Sequence, residues 1–128
     1  MKPLAGTVVF DFTRYLSGPF GTMILKDLGA RVIKIESPSG DPSRRFGPFQ
    51  GSFSAYFHPI NRGKESVVVD LRDPAEVARL RALLRHADCV VENFRPGVMK
   101  TVGLGHEALL ELYPRLVYAS CSGFGAEG

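Results

Sequence analysis

The sequence predicts an α/β fold built on a doubly wound parallel sheet. Two observations carry that reading. Short β-branched runs alternate along the chain with segments of helical periodicity, the order that places crossover helices over parallel strands. The runs are also nearly continuous in hydrophobicity, as strands are when helices cover both faces of their sheet. The most pointed of them, Asp88-Cys89-Val90-Val91-Glu92, stops abruptly in Asn93-Phe94-Arg95-Pro96-Gly97. Ligands of such sheets bind just outside the carboxyl ends of the strands. At that place the stretch offers an amide to hydrogen-bond, a ring to stack on and a cation for phosphate. Taken alone, it reads equally well as an ordinary strand-to-helix loop.

The elements follow in order. Residues 6–12 form a first strand, which ends in the polar turn Thr13-Arg14-Tyr15-Leu16-Ser17-Gly18. A helix over 19–28 comes next, with Pro19 in its first turn and Gly29 as its stop. Phe20, Met23, Ile24 and Leu28 are spaced as its buried face. Residues 31–36 make the second strand, so the opening is a βαβ unit with a right-handed crossover. Residues 37–63 are crowded with proline, glycine and the aromatics Phe46, Phe49, Phe53, Tyr56 and Phe57. They predict an ordered irregular loop, with room for a short helix near 54–59.

The third strand spans 65–71. Asp73-Pro74-Ala75-Glu76 reads as an N-cap, a first-turn proline and a capping-box glutamate. The helix they open has Val77, Leu80, Leu83, Leu84 and Ala87 as its apolar face and Arg79, Arg81 and Arg85 as a solvated one. After the strand at 88–92 come a short helix or turn at 96–100 and a break at Gly103-Leu104-Gly105. A helix over 106–113 follows, with Ala108, Leu109 and Leu112 inward, then a fifth strand over 115–121. A glycine-rich run occupies 122–128.

Composition narrows the function. At 128 residues the chain is one domain's worth, able to bury ~65–70% of its unfolded surface. Its 45% hydrophobic and 23% charged residues are ordinary globular composition. No apolar run nears the ~18 residues of a membrane span, and the N-terminus has no signal-peptide core; a cytoplasmic protein is expected. The net charge of +3, with its basic residues dispersed, argues against nucleic acid as partner and suits a small polyanion. Cys89 and Cys121 lie in apolar runs without metal or redox spacing and are expected to be buried thiols. His58, His86 and His106 are scattered, so no metal site is expected. The dinucleotide fingerprint, the Walker loop, HExxH and GxSxG are all missing.

Three strand ends carry related residue sets. They are Arg14 to Gly18 after the first strand, Asp70, Leu71 and Arg72 after the third, and Asn93, Phe94 and Arg95 after the fourth. A parallel sheet brings such ends to one edge, predicting a single crevice of amides, an aromatic ring and arginines. The helix beginning near Pro19 points its N-terminus there, which favours a phosphate-bearing, nucleotide-like ligand.

In this setting Pro3-Leu4-Ala5-Gly6, Val8 to Thr13 and Gly18-Pro19 resemble the opening of the family III CoA-transferases. That family includes formyl-CoA transferase, the carnitine and bile-acid CoA-transferases, and α-methylacyl-CoA racemase. Further blocks match in order: Asp27-Leu28-Gly29-Ala30 with Val32 to Glu36, Asn61-Arg62-Gly63-Lys64-Glu65-Ser66 with Asp70-Leu71, and Val91 to Gly97. Gly103-Leu104-Gly105, Pro114 to Tyr118 and Ser122-Gly123-Phe124-Gly125 complete the set. The resemblance implies a Rossmann-like domain binding coenzyme A or acyl-CoA, a carboxylic acid as acceptor, and an interlocked homodimer.

Carried onto matching positions, Leu16 and Ser17 would approach the thioester end. Val69, Asp70, Leu71, Arg72, Asn93, Phe94 and Arg95 would line the CoA site. Ser37 and Thr101 stand where relatives carry an arginine, and Lys100 would supply a neighbouring charge. The family's nucleophilic aspartate is expected beyond Gly128. Residues 1–128 are thus expected to be an N-terminal CoA-binding segment, with the completing C-terminal segment and small domain absent, inactive alone and exposing apolar sheet surface. An α-methylacyl-CoA racemase segment, or a non-catalytic CoA- or nucleotide-binding module, stands as the alternative.

Overall fold

The computed structural model describes residues 1–125. Five parallel strands form one sheet: β1 (Val8–Asp11), β2 (Arg31–Glu36), β5 (Glu65–Val68), β6 (Cys89–Glu92) and β7 (Val117–Ser120). Their spatial order is β5-β2-β1-β6-β7. The chain walks outward from β1 through β2 to β5, returns to the other side of β1 as β6, and walks outward again to β7. The order therefore reverses between β1 and β6, where Phe10 lies opposite Val90. Such reversals leave a crevice beyond the strand ends.

Helices cover both faces, the doubly wound arrangement read from the sequence. On one side α3 (Pro74–Leu83), α4 (Val98–Thr101) and α5 (His106–Leu112) enclose the main core. Phe10, Phe12, Ile35, Val90, Leu80, Leu84, Met99, Leu104 and Leu109 meet there. On the other side lies α1 (Ser17–Asp27). There, among the described residues, a smaller buried apolar cluster of Val9, Ala30, Val32 and Val91 forms, with Leu4 and Leu25 packed against it. The difference follows from strand alternation. Val9 and Asp11 share one face of β1, and Val32, Lys34 and Glu36 share one face of β2, so this face turns ionic toward the carboxyl ends.

That change of character rotates α1 away from its predicted orientation. Gly18, Pro19, Thr22 and Met23 are buried, whereas Phe20, Ile24 and Leu28 are exposed. Gly18 sits so close to the end of β1 that a Cβ there would lie 2.4 Å from Thr13 Cβ. The residue without a side chain must face the sheet, and the apolar stripe turns outward.

The irregular segment is more structured than expected. It holds a 3-10 turn (Pro42–Arg45), an antiparallel pair β3 (Phe49–Gln50) and β4 (Phe53–Ser54), and a one-turn helix α2 (Phe57–Ile60). Asp73 caps α3 by accepting from the Ala75 N–H at 2.8 Å. Glu76 does not complete a capping box; it accepts from the Asp70 N–H at 2.7 Å and fastens the strand end to the helix. Leu83 and Leu112, expected inward, are exposed. Cys121 is exposed too, since it lies beyond the end of edge strand β7, and Cys89 is half-buried. An apolar groove of ≈ 530 Å³ runs along β1, β2 and β5 beside α3, lined by Phe10, Ile33, Val67, Val68 and Leu83. No helix among the described residues is long and apolar enough to cross a membrane. The last part of the glycine-rich run, residues 126–128, lies outside the described residues.

Candidate functional site

The switch point is occupied by a clamp. Asn93, directly after β6, accepts from the Arg14 N–H through Oδ1 and donates to the Arg14 carbonyl through Nδ2, both at 2.8 Å. One side-chain amide thus takes both polar backbone groups of a residue 79 positions away. So held, Arg14 lays its guanidinium over the Phe94 ring, 4.6 Å from the centroid. Cation and ring form a flat, partly desolvated platform of the kind on which bases stack and phosphates pair. It floors a groove of ≈ 400 Å³ whose walls include Phe12, Ser37, Ser39, Val69, Leu71 and Arg72.

The structure sorts the sequence-derived residues into groups. Val69, Asp70, Leu71, Arg72 and Phe94 line this groove. Arg72 is largely exposed, and its guanidinium forks onto the Asp70 carboxylate at 2.9 Å; the hydrogen bonds from Arg72 hold the Asp70 carboxyl down at about 2. Asn93 does not line the groove, because its amide is committed to Arg14. Arg95 and Lys100 line a second groove, ≈ 290 Å³, with Glu92, His106, Tyr118 and Ser120. The predicted single crevice is therefore two, since successive residues of an extended segment point to opposite sides. Lys100 there pairs with Glu107 at 3.0 Å. Leu16 and Ser17 sit exposed at the start of α1, with Leu16 as an N-cap lacking any side-chain cap. Ser37, in the first groove, shares a hydrogen bond with the Ser39 hydroxyl at 3.0 Å and donates to the Gly40 carbonyl at 3.3 Å. Thr101 bonds back to the Val98 carbonyl and lies in neither groove.

Beneath the turn 13–17 lies a buried ionic cluster that sequence reasoning missed. Lys64 and Asp11 pair at 2.9 Å with side chains 2% and 0% exposed. The Lys64 ammonium also donates to Thr22 Oγ1 (2.8 Å), Asn61 Oδ1 (2.9 Å) and the Pro19 carbonyl (3.0 Å). Asp11 further accepts from the Thr22 hydroxyl at 2.6 Å and from both the N–H and the hydroxyl of Thr13. Lys34, equally buried, reaches the Thr13 carbonyl at 2.7 Å and Asp41 at 2.9 Å. Burial pulls the Lys64 pKa down, and the Asp11 carboxylate opposes that pull.

Next to this cluster, Glu36 takes a two-toothed Arg44 guanidinium at 2.6 and 2.7 Å, the Ser66 hydroxyl and the Asp41 N–H. Burial alone would raise its pKa, but the Arg44 fork and the other donors outweigh burial and bring it to about 2. The sequence did carry a signal for this cluster. Asp11, Lys34 and Glu36 interrupt strands that are otherwise apolar, at the period of one sheet face, and charges so placed must find partners.

The model of CoA-transferase family III matches residues 4–128. The chain belongs to this family. Among curated relatives it is 53% identical to an acetyl-CoA:oxalate CoA-transferase of Acetobacter aceti, over 98% of this chain and 33% of that protein. It is 45% identical to the human succinyl-CoA:glutarate CoA-transferase, over 100% of this chain and 30% of that protein. The chain thus spans about a third of the length of these relatives. Solved structures agree on the fold. The crystal structure of Rv3272 from Mycobacterium tuberculosis superposes with a TM-score of 0.93 at 42% identity, covering 99% of this chain and 36% of that one. A CAIB/BAIF family protein from Brucella suis gives 0.92 at 42% identity, over 99% and 35%.

Proposed function

We propose that these residues form the coenzyme A-binding part of an acyl-CoA:carboxylate CoA-transferase. The observation that carries the reading is the Arg14–Phe94 platform, locked by Asn93 at the point where strand order reverses. A nucleotide fits such a place by stacking its base and pairing its phosphates. Arg95 and Lys100 add charge at the second groove, and Leu16 and Ser17 stand where the thioester end would approach.

In the reaction, a carboxylate attacks the donor thioester carbonyl and expels CoA thiolate, leaving a mixed anhydride. The thiolate then attacks the enzyme's own carbonyl, forming an enzyme–CoA thioester and releasing the donor's acid. The acceptor carboxylate reverses both steps, so one hard displacement becomes several easier ones. On this reading the attacking aspartate is none of the carboxylates at the sheet edge. Asp11, Glu36, Asp41, Asp70 and Glu92 each already hold a cation or a backbone N–H. Residues 1–128 alone are accordingly expected to bind CoA without turning it over. The reading carries with it a cytoplasmic, interlocked homodimer as the working enzyme.

Calorimetric titration with CoA tests the proposal. Binding is expected, and Arg14→Ala, Asn93→Ala and Arg95→Ala should each weaken it about tenfold, the equivalent of ~1.4 kcal/mol. CoA affinity unchanged in all three variants would show that the ligand does not use this edge.

A further inference from the structure

The buried ion cluster meets the candidate site through the turn 13–17, whose backbone it holds at several points. The Thr13 N–H and hydroxyl are fixed by Asp11, and its carbonyl by Lys34. Both backbone groups of Arg14 are fixed by Asn93. Directly after these two pinned residues, Tyr15 adopts φ +69°, a left-handed conformation that a tyrosine keeps only when its surroundings dictate it. Arg14 and Leu16 flank that residue, and Ser17 follows at the start of α1.

Lys64 is the piece that ties the arrangement together from outside. It follows the long excursion between β2 and β5, and none of its hydrogen-bond partners lines the groove floored by Arg14 and Phe94. An ammonium carries three donors and no acceptor, so one N–H is shared between two of the four acceptors around Lys64. Here it reaches the end of β1 through Asp11, the first turns of α1 through Pro19 and Thr22, and Asn61 after α2. Thr22 relays the connection, accepting from Lys64 and donating to Asp11. Were the ammonium removed, a fully buried Asp11 would lose the one cation it pairs with among the described residues. A carboxylate so stranded shifts toward other donors. That change reaches Thr13, which leans on Asp11 with two hydrogen bonds.

We propose that Lys64 is a positioning residue for acyl-CoA: acting through Asp11 and Thr22, it sets where the turn 13–17 presents Arg14, Leu16 and Ser17 to the ligand. The inference rests on the CoA-binding reading above and adds to it the group that aims the site without touching the ligand.

The test is titration of acetyl-CoA into the full chain and its variants, at a temperature where thermal melts show each to be folded. Lys64→Met is expected to bind at least tenfold more weakly than the parent. Thr22→Val, which keeps the shape but breaks the relay, should fall in the same direction, and Thr22→Ser, which restores the hydroxyl, should return affinity to within about twofold. Leu109→Ala, a cavity under α5 on the face of the sheet opposite α1, serves as the control for stability loss alone and should leave affinity unchanged. If Lys64→Met does not fold, the Thr22→Val and Thr22→Ser pair decides. Parental affinity in Thr22→Val, or an equal loss in Leu109→Ala, overturns the inference. If the parent itself fails to bind acetyl-CoA, it is the CoA-binding reading that falls.

Discussion

Two lysine–carboxylate pairs at the carboxyl edge of the sheet are nearly the same length and do opposite things. Lys64–Asp11 spans 2.9 Å with both side chains buried, and Lys100–Glu107 spans 3.0 Å with side chains 74% and 67% exposed. Water competes for every hydrogen bond of the second pair and screens its attraction, so it constrains little. For the first pair there is no water to fall back on, and each donor must be matched inside the protein. The half of the edge built on β1, β2 and α1 is therefore held rigidly, while the half built on β6, β7 and α4 is open and adjustable. Distance alone ranks neither pair; burial does.

The comparison is broken most directly at Lys64. Replacing it with methionine leaves a buried charge without its partner and should cost ~3–5 kcal/mol of stability, read as a fall in the urea midpoint. A loss below ~1 kcal/mol would mean that the cluster is wetter than its geometry indicates.

Acid should weaken the same rigid half. The folded Glu36 pKa, about 2, is lower than its ordinary value of 4.5. Its contribution is therefore complete above about 4.5 and is lost as pH falls toward 2. By linkage that contribution is on the order of 3 kcal/mol. Urea melts between those limits should show the decline, and Glu36→Gln should flatten it. An equally steep decline in that variant would move the effect to other carboxylates.

Asn93→Ala removes two hydrogen bonds to one backbone residue and leaves its partners partly buried, an expected loss of ~1–3 kcal/mol. Hydrogen exchange should show the Arg14 amide unprotected in that variant, and a still-protected amide would show that the clamp is dispensable. Smallest of all, Lys100→Ala should change stability by less than ~0.5 kcal/mol; a larger loss in the urea midpoint would erase the contrast with Lys64.

The sequence by itself determined the parallel α/β fold, the succession of its main strands and helices, and the family. Strand hydrophobicity, the Asp73-Pro74 helix start and the ordered blocks from Pro3 to Gly125 are local signals, and they survive folding because short-range physics writes them. The tertiary structure decided which residues those elements bring together. Phe20, Ile24 and Leu28 have helical spacing, but α1 rests on an ionic patch and a glycine contact, so the stripe faces outward. Asn93 reads from the sequence as a ligand contact; the fold adds that its amide holds Arg14, a partner 79 residues away that no local pattern identifies. Asp11, Lys34 and Lys64 could be seen as charges out of place; only the packing of β1, β2, α1 and the long loop shows that they answer one another. Sequence periodicity reports which way a side chain points along its own element, whereas pairing across elements depends on sheet order and helix rotation, which the whole fold sets at once.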